Sequence, residues 1–138
     1  PPSEAADRMS FRTRLSAYPD HFWLLEEDGR VVSMINGLVT DIPVLQDVMF
    51  EEAGFHKENG DWQMIFGVAT HPDFQGEGYA SVLMQRVISD AMNQGRKGIV
   101  LTCKDKLLPF YERFGFVNEG ISQSEHGGAV WYDMRLIF

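Results

Sequence analysis

Apolar residues recur with a helical period over one long stretch of the chain. Ala80, Leu83, Met84, Val87, Ile88 and Ala91 fall at i, i+3, i+4, i+7, i+8 and i+11. That spacing predicts an amphipathic helix from Tyr79 to about Met92, packed by one face on a sheet and stopped at Asn93-Gln94-Gly95. Just before it, residues 62–69 are almost all apolar, the pattern of a central strand buried on both faces. Residues 21–26 and 30–39 read as strands joined by an Asp28-Gly29 hairpin turn. Gly98–Cys103 reads as a short strand, and residues 106–114 as a helix capped by Asp105 and stopped at Gly115. Residues 116–123 and 129–138 read as a closing hairpin. Near the start, Ser3 can cap a short helix with Glu4 in its first turn. Phe11 and Leu15 give that helix an apolar face, continuing to about Ala17 and ended by Tyr18-Pro19-Asp20. Between residues 40 and 60, Val44, Leu45, Val48 and Met49 suggest a short helix inside a long connection. Helices and strands alternate in the middle and antiparallel hairpins flank them, so the expected class is α/β with a mixed, mostly antiparallel sheet flanked by helices.

Size and composition narrow the class of function. A chain of 138 residues with 44% hydrophobic and 23% charged content suits one soluble domain. No apolar run approaches the length of a membrane span, and no apolar signal segment stands at the start, so a cytoplasmic location and no membrane partner are expected. The single cysteine, Cys103, excludes an internal disulfide and fits a reducing compartment. Zinc-ligand spacing is absent, so no metal is expected. The net charge of −8 argues against nucleic acid as a partner and suits a cationic substrate.

The chemistry concentrates where the apolar run meets the long helix. Gln75-Gly76-Glu77-Gly78-Tyr79-Ala80 places glycines in a strand-to-helix turn. The first turn of a helix has N–H groups without intrahelical partners and partial positive charge. Glycine lets such a backbone approach a phosphate closely. The dinucleotide fingerprint and the P-loop pattern both fail, the latter because no Gly-Lys-Ser/Thr follows.

What fits is Gln/Arg-x-x-Gly-x-Gly/Ala, read as Gln75-x-x-Gly78-x-Ala80. This resembles the acetyl-CoA loop of the GCN5-related N-acetyltransferases, the GNAT superfamily. Residues 101–116, LTCKDKLLPFYERFGF, extend the likeness, and the Cys103-Lys104-Asp105 strand end followed by Pro109-Phe110-Tyr111-Glu112-Arg113-Phe114 is similar to the serotonin N-acetyltransferase-like branch. The resemblance is continuous from about Asp61 to Phe138. It implies the acyl-CoA N-acyltransferase fold, lacking its first strand here because the chain starts inside the first helical region of the family fold. The domain would therefore be N-terminally incomplete.

The resemblance also implies roles. Acetyl-CoA would be the cosubstrate, with Gly76, Glu77, Gly78, Tyr79, Ala80 and Ser81 lining its pyrophosphate and Gln75 opening the loop. Val68, Ala69 and Thr70 would offer backbone hydrogen bonds to the pantetheine arm, with an N–H near Val68 at the thioester oxygen. Tyr111 matches the tyrosine beside the thioester sulfur, and a phenol suits protonation of a leaving thiolate; the bland alternative is a half-buried packing aromatic. The family's base positions fall on Phe66 and Met64, neither of which accepts a proton. Glu51, Glu52, Asp61 and His126 are candidates from elsewhere, each also readable as a solvated surface group. His71 precedes Pro72 and reads as structural. Cys103 ends an apolar strand and reads as a buried inert thiol rather than a nucleophile.

The leading expectation is acetyl transfer to a primary amine of a small molecule. Two others stay open: peptide or protein N-acetylation, and an acyl-CoA-binding sensor with little catalysis. An unrelated phosphate-binding α/β domain is disfavoured by the match over residues 101–116. A homodimer is a further expectation by family analogy, since an exposed last strand offers a pairing edge.

Overall fold

The computed structural model describes residues 19–124 and 126–138. The expected first helix, with Ser3, Glu4, Phe11, Leu15, Ala17 and Tyr18, lies outside the described residues. Eight strands follow: β1 (Phe22–Glu27), β2 (Arg30–Asn36), β3 (Val39–Thr40), β4 (Trp62–Ile65), β5 (Gly67–Thr70), β6 (Gly98–Cys103), β7 (Val117–Ile121) and β8 (Tyr132–Ile137). Among the described residues three α-helices accompany them: α1 (Val48–Glu51), α2 (Tyr79–Asn93) and α3 (Leu108–Glu112). The strands form two sheets, ordered β1-β2-β5 and β3-β4-β6-β8-β7. Every pairing is antiparallel except β4 with β6. That is the mixed, mostly antiparallel sheet flanked by helices expected from the chain.

The apolar run 62–69 is not one strand. It breaks at Phe66, and its halves belong to different sheets: β4 pairs with β3 and β6, whereas β5 pairs with β2 alone. Nor is the second half buried on both faces, since Ala69 is exposed. Hydropathy cannot report this split, because both halves border apolar surface. A second switch accompanies it. The expected strand over residues 30–39 ends at Asn36, and the chain crosses at Gly37 before β3. A Cβ at Gly37 would lie 1.6 Å from the Met64 carbonyl oxygen, so only glycine lets the two backbones cross. Gly37 N–H donates to the His21 carbonyl and Met64 N–H to the Leu38 carbonyl, holding the crossing in place. The result is a wedge-shaped opening between β4 and β5.

One apolar core lies under α2, where Leu83, Met84, Val87 and Ala91 meet Ile35, Ile99, Leu101 and Met134. A second lies on the other face, where Leu38, Leu45, Met49, Met64 and Val100 are buried together. α1 is shorter than the periodicity suggested: Leu45 and Met49 are buried, but Val44 is exposed. The 106–114 segment also differs. Asp105–Leu107 is a single 3-10 turn, Asp105 does not cap it, and α3 begins at Leu108 with Pro109 in its first turn. The Asp28-Gly29 turn has both residues at positive φ, 51° and 79°, as a tight two-residue hairpin requires.

A polar lock ties the long connection to the sheet. Gln63 donates its amide to the carbonyls of Leu38 and Met64, which leaves its oxygen facing His21 Nδ1 at 2.8 Å. His21 Nε2 meets the Glu58 carboxylate at 2.9 Å. His56 Nδ1 accepts from Val39 N–H, so its proton sits on Nε2 and is donated to Glu58 at 3.0 Å. Arg96 closes the set with bonds to Glu58 and the Gly60 carbonyl. Two histidines and a carboxylate converge here, but that protonated Nε2 and the nearby guanidinium make the cluster a hydrogen-bonded lock rather than a cation site.

Candidate active site

The glycine turn has the conformation its sequence suggested. Gly76 and Gly78 both sit at positive φ, 81° and 80°, and a Cβ on either would meet nothing within 4 Å. Gly78 is the N-cap residue of α2 and provides no side-chain cap; the first helical bond runs from Val82 N–H to its carbonyl. The N–H groups of Tyr79, Ala80 and Ser81 therefore open without intrahelical partners onto the adjoining space. That space is a cavity of about 540 Å³, lined by Gln75, Gly76, Gly78, Tyr79, Ala80 and Ser81 together with Val68, Thr70, Phe110, Tyr111 and Arg113 among others. Glu77 is not part of its lining. Gln75 donates its amide to the Thr70 carbonyl at 3.3 Å and so braces the loop against β5. Tyr79 donates its hydroxyl to Glu27, which pushes the phenol up to about 12 and pins the start of α2 to β1.

β5 offers a free edge to the opening. His71 N–H donates to the Val32 carbonyl, and the Ala69 carbonyl accepts the Ser33 hydroxyl. In an antiparallel ladder the N–H groups alternate in direction. Ala69 therefore spends its backbone on β2, while Val68 and Thr70 direct theirs away from it. Of the three expected backbone contributors, Val68 and Thr70 line the cavity and Ala69 does not.

A second cavity, of about 280 Å³, fills the wedge between β4, β5 and β6. Its walls include Phe66, Gly67, Val68, Thr102, Cys103, Lys104, Tyr111 and Trp131. Tyr111 is 5% exposed and its ring is held edge-on by Phe110 and Phe116, with centroids 5.0 and 5.8 Å away. Burial, with the neighbouring Cys103, raises its phenol well above the ordinary range, so it keeps its proton at any working pH. Cys103 is pushed up to about 11 by burial and by the charge of Glu112, which makes it a poor nucleophile.

The remaining sequence candidates are scattered. Met64 is fully buried and Phe66 stacks on Phe50 at 4.4 Å, so neither base position of the strand offers a polar atom. Glu51 and Glu52 are exposed on α1 and just after it. Asp61 stands at the far end of β4 and pairs with Lys97. His126 belongs to the turn between β7 and β8. His71 accepts from Asp73 N–H and caps the 3-10 turn Pro72–Phe74, the structural part expected of it. Arg113, and Lys104 set 5.7 Å from the Trp131 ring, are wall residues; both cations lie within the 101–116 likeness, which gave neither of them a role.

Residues 1–116 match the acetyltransferase (GNAT) family. The chain belongs to that family. Among curated GNAT relatives, serotonin N-acetyltransferase of Mesocricetus auratus is 35% identical over 110 residues, covering 79% of this chain and 52% of the relative. The Homo sapiens serotonin N-acetyltransferase is 31% identical over 91 residues, covering 65% of this chain and 42% of that protein. The chain thus spans about half the length of these GNAT relatives. Solved structures agree on the fold. The GphF GNAT-like decarboxylase in complex with isobutyryl-CoA superposes with a TM-score of 0.82 at 17% identity, over 99% of this chain and 88% of that one. Naa20 of Chaetomium thermophilum, in complex with a bisubstrate analogue, superposes with a TM-score of 0.74 at 18% identity, over 100% and 77%.

Proposed function

We propose that the protein is an acetyl-CoA-dependent N-acetyltransferase acting on a primary amine of a small molecule. The observation that carries this reading is the passage formed by the two cavities, with Tyr111 and Val68 in the walls of both. In this reading the pyrophosphate rests on the N–H groups that follow Gly78. The pantetheine arm runs along the free edge of β5, and the thioester lies in the wedge. The Val68 N–H points where negative charge develops on the thioester oxygen. The amine attacks the thioester carbon directly, the C–S bond breaks, and Tyr111 protonates the leaving thiolate. Serotonin N-acetyltransferases among the relatives favour a small amine as acceptor.

Met64 and Phe66 favour a second reading, an acyl-CoA-binding module with little turnover, because apolar residues stand at the family's proton-accepting positions, Met64 in β4 and Phe66 at the break after it. Thiol release from acetyl-CoA with a panel of amines decides between them. Amine-dependent release supports the transferase. Tight CoA binding with no release from any amine, peptide N-termini included, supports the binding module.

A further inference from the structure

The wedge is larger than the groups that acetyl transfer brings into it. Val68, Leu107 and Tyr111 line both the wedge and the cavity at the start of α2, so they form the threshold between the two. In the acetyltransferase reading the CoA sulfur lies at this threshold, and the acyl group lies beyond it. A heavy atom with its hydrogens fills about as much space as a water molecule, roughly 30 Å³. The sulfur and an acetyl group are four such atoms. The nitrogen and first carbon of an attacking amine bring the total to six, or about 180 Å³. The wedge holds about 280 Å³. The difference of roughly 100 Å³ is room for about three more carbons.

The buried part of the lining is apolar and rigid. Ile65, Leu101 and Cys103 line the wedge and are at most 3% exposed. Ile65 stands opposite Leu101 in the parallel β4–β6 ladder, and Leu101 and Cys103 stand opposite Met134 and Tyr132 in the β6–β8 ladder. A wall fixed by ladders on both sides relaxes only partly around a small group, and space left empty against it forfeits dispersion contacts. Cys103 keeps its proton, since burial and the charge of Glu112 push it up to about 11, and a neutral thiol behaves as a small hydrophobe. Charges stand toward solvent instead. Lys106 is exposed, and Lys104 is half-buried with its ammonium over the Trp131 ring. No aspartate or glutamate lines the wedge among the described residues.

We propose that the wedge is an acyl pocket for saturated acyl groups of about four to five carbons, and that the protein binds and transfers these in addition to acetyl. This rests on the acetyltransferase reading above and adds the class of acyl donor. The chemistry stays balanced. The amine nitrogen forms the N–C bond, the C–S bond breaks, and one N–H proton leaves with solvent. Tyr111 gives its proton to the thiolate and regains one from solvent, so one amine and one thioester give one amide and one thiol.

The test uses the wild-type protein with CoA and its acetyl, propionyl, butyryl, octanoyl and succinyl thioesters. In calorimetry, affinity should rise about fourfold for each methylene from acetyl to butyryl. From butyryl to octanoyl it should rise no further, because the pocket is then full. Amide NMR shifts that differ between the acetyl-CoA and butyryl-CoA complexes should fall on Leu101, Thr102 and Cys103. With an amine that supports thiol release, mass spectrometry should find the butyramide, formed with a kcat/KM at least equal to that for acetyl. Affinity that is flat or falls from acetyl to butyryl overturns the acyl pocket, and with CoA still bound it leaves the transferase reading standing. Succinyl-CoA binding more tightly than butyryl-CoA also overturns it, since the wedge would then serve a carboxylate beside Lys104 and Lys106. A rising series without thiol release from any amine keeps the pocket and removes the transferase reading. No binding of any CoA thioester removes both.

Discussion

Val68 on β5 and Tyr111 on α3 wall the same passage: each lines both the cavity at the start of α2 and the cavity in the wedge. Their meeting depends on the break at Phe66, which turns β5 away from β6 and opens a gap that α3 then covers. A backbone N–H and a phenol from distant parts of the chain thereby open onto the same passage.

Tyr111→Phe should lower turnover by about 10²-fold, the usual worth of one general acid, with acetyl-CoA affinity unchanged. Burial holds the phenol well above its ordinary value. Its ionisation should therefore cause no fall in the wild-type rate below about pH 10. Stopped-flow thiol release from pH 6 to 10 checks both points, and an unchanged rate in the variant would reduce Tyr111 to a packing residue.

Gly78→Ala probes the anion loop. The residue sits at φ 80°, where alanine costs about 1 kcal/mol. The melting temperature should drop by roughly 3–5 °C, and acetyl-CoA should bind about tenfold more weakly, the equivalent of one lost hydrogen bond. Calorimetry with acetyl-CoA reads the second effect; wild-type affinity in the variant would place the pyrophosphate elsewhere.

Glu58 should make the fold sensitive to acid. Burial opposes its charge, but the hydrogen bonds from His21 and His56 outweigh it and hold the carboxyl below 4.5. A depressed carboxyl stabilises the fold above its unfolded value, and that stability is lost as pH falls through the folded one. His56 acts in the same direction at higher pH: burial lowers it below 6.5, so protonation favours unfolding as pH drops past that value. Glu58→Gln should cost about 1 kcal/mol at pH 7, a modest figure because the carboxylate is 63% exposed. Urea titrations from pH 3 to 8 should show a shallower acid decline in the variant than in wild type.

Asp133→Asn should have the opposite sign. Burial raises this carboxyl, so the native state holds its proton more tightly than the unfolded chain does. Stability is then lost as pH rises from the unfolded value through the folded one. The asparagine variant should be more stable than wild type at pH 7, by about 1 kcal/mol after allowing for partial exposure, and equal to it near pH 3. Thermal melts at the two pH values decide this, and a destabilised variant at pH 7 would show that a donor satisfies the buried Oδ1 in solution.

Much of the candidate site was legible along the chain. The period of 3.6 set α2, and Gly76 and Gly78 marked where its open N–H groups would face an anion, because helix start and glycine freedom are local properties. Tyr111 was legible through its neighbours in residues 109–114. The break at Phe66 that opens the wedge was not, since nothing in the order of residues tells which strands β4 and β5 pair with.

What the sequence determined by itself was therefore the long helix α2, the Asp28-Gly29 hairpin and the local conformation of the glycine turn, which rest on periodicity and on backbone preferences within a few residues. Tertiary structure decided the rest. The 62–69 run became two strands because Asn36, Gly37 and Phe66 pass between sheets, a choice made by which backbones pair. Val68 and Thr70 became free donors, and Ala69 did not, because β2 occupies only one edge of β5. Asp133 came to stand beside Thr102 because antiparallel register, rather than any local signal, sets which side chains share a face.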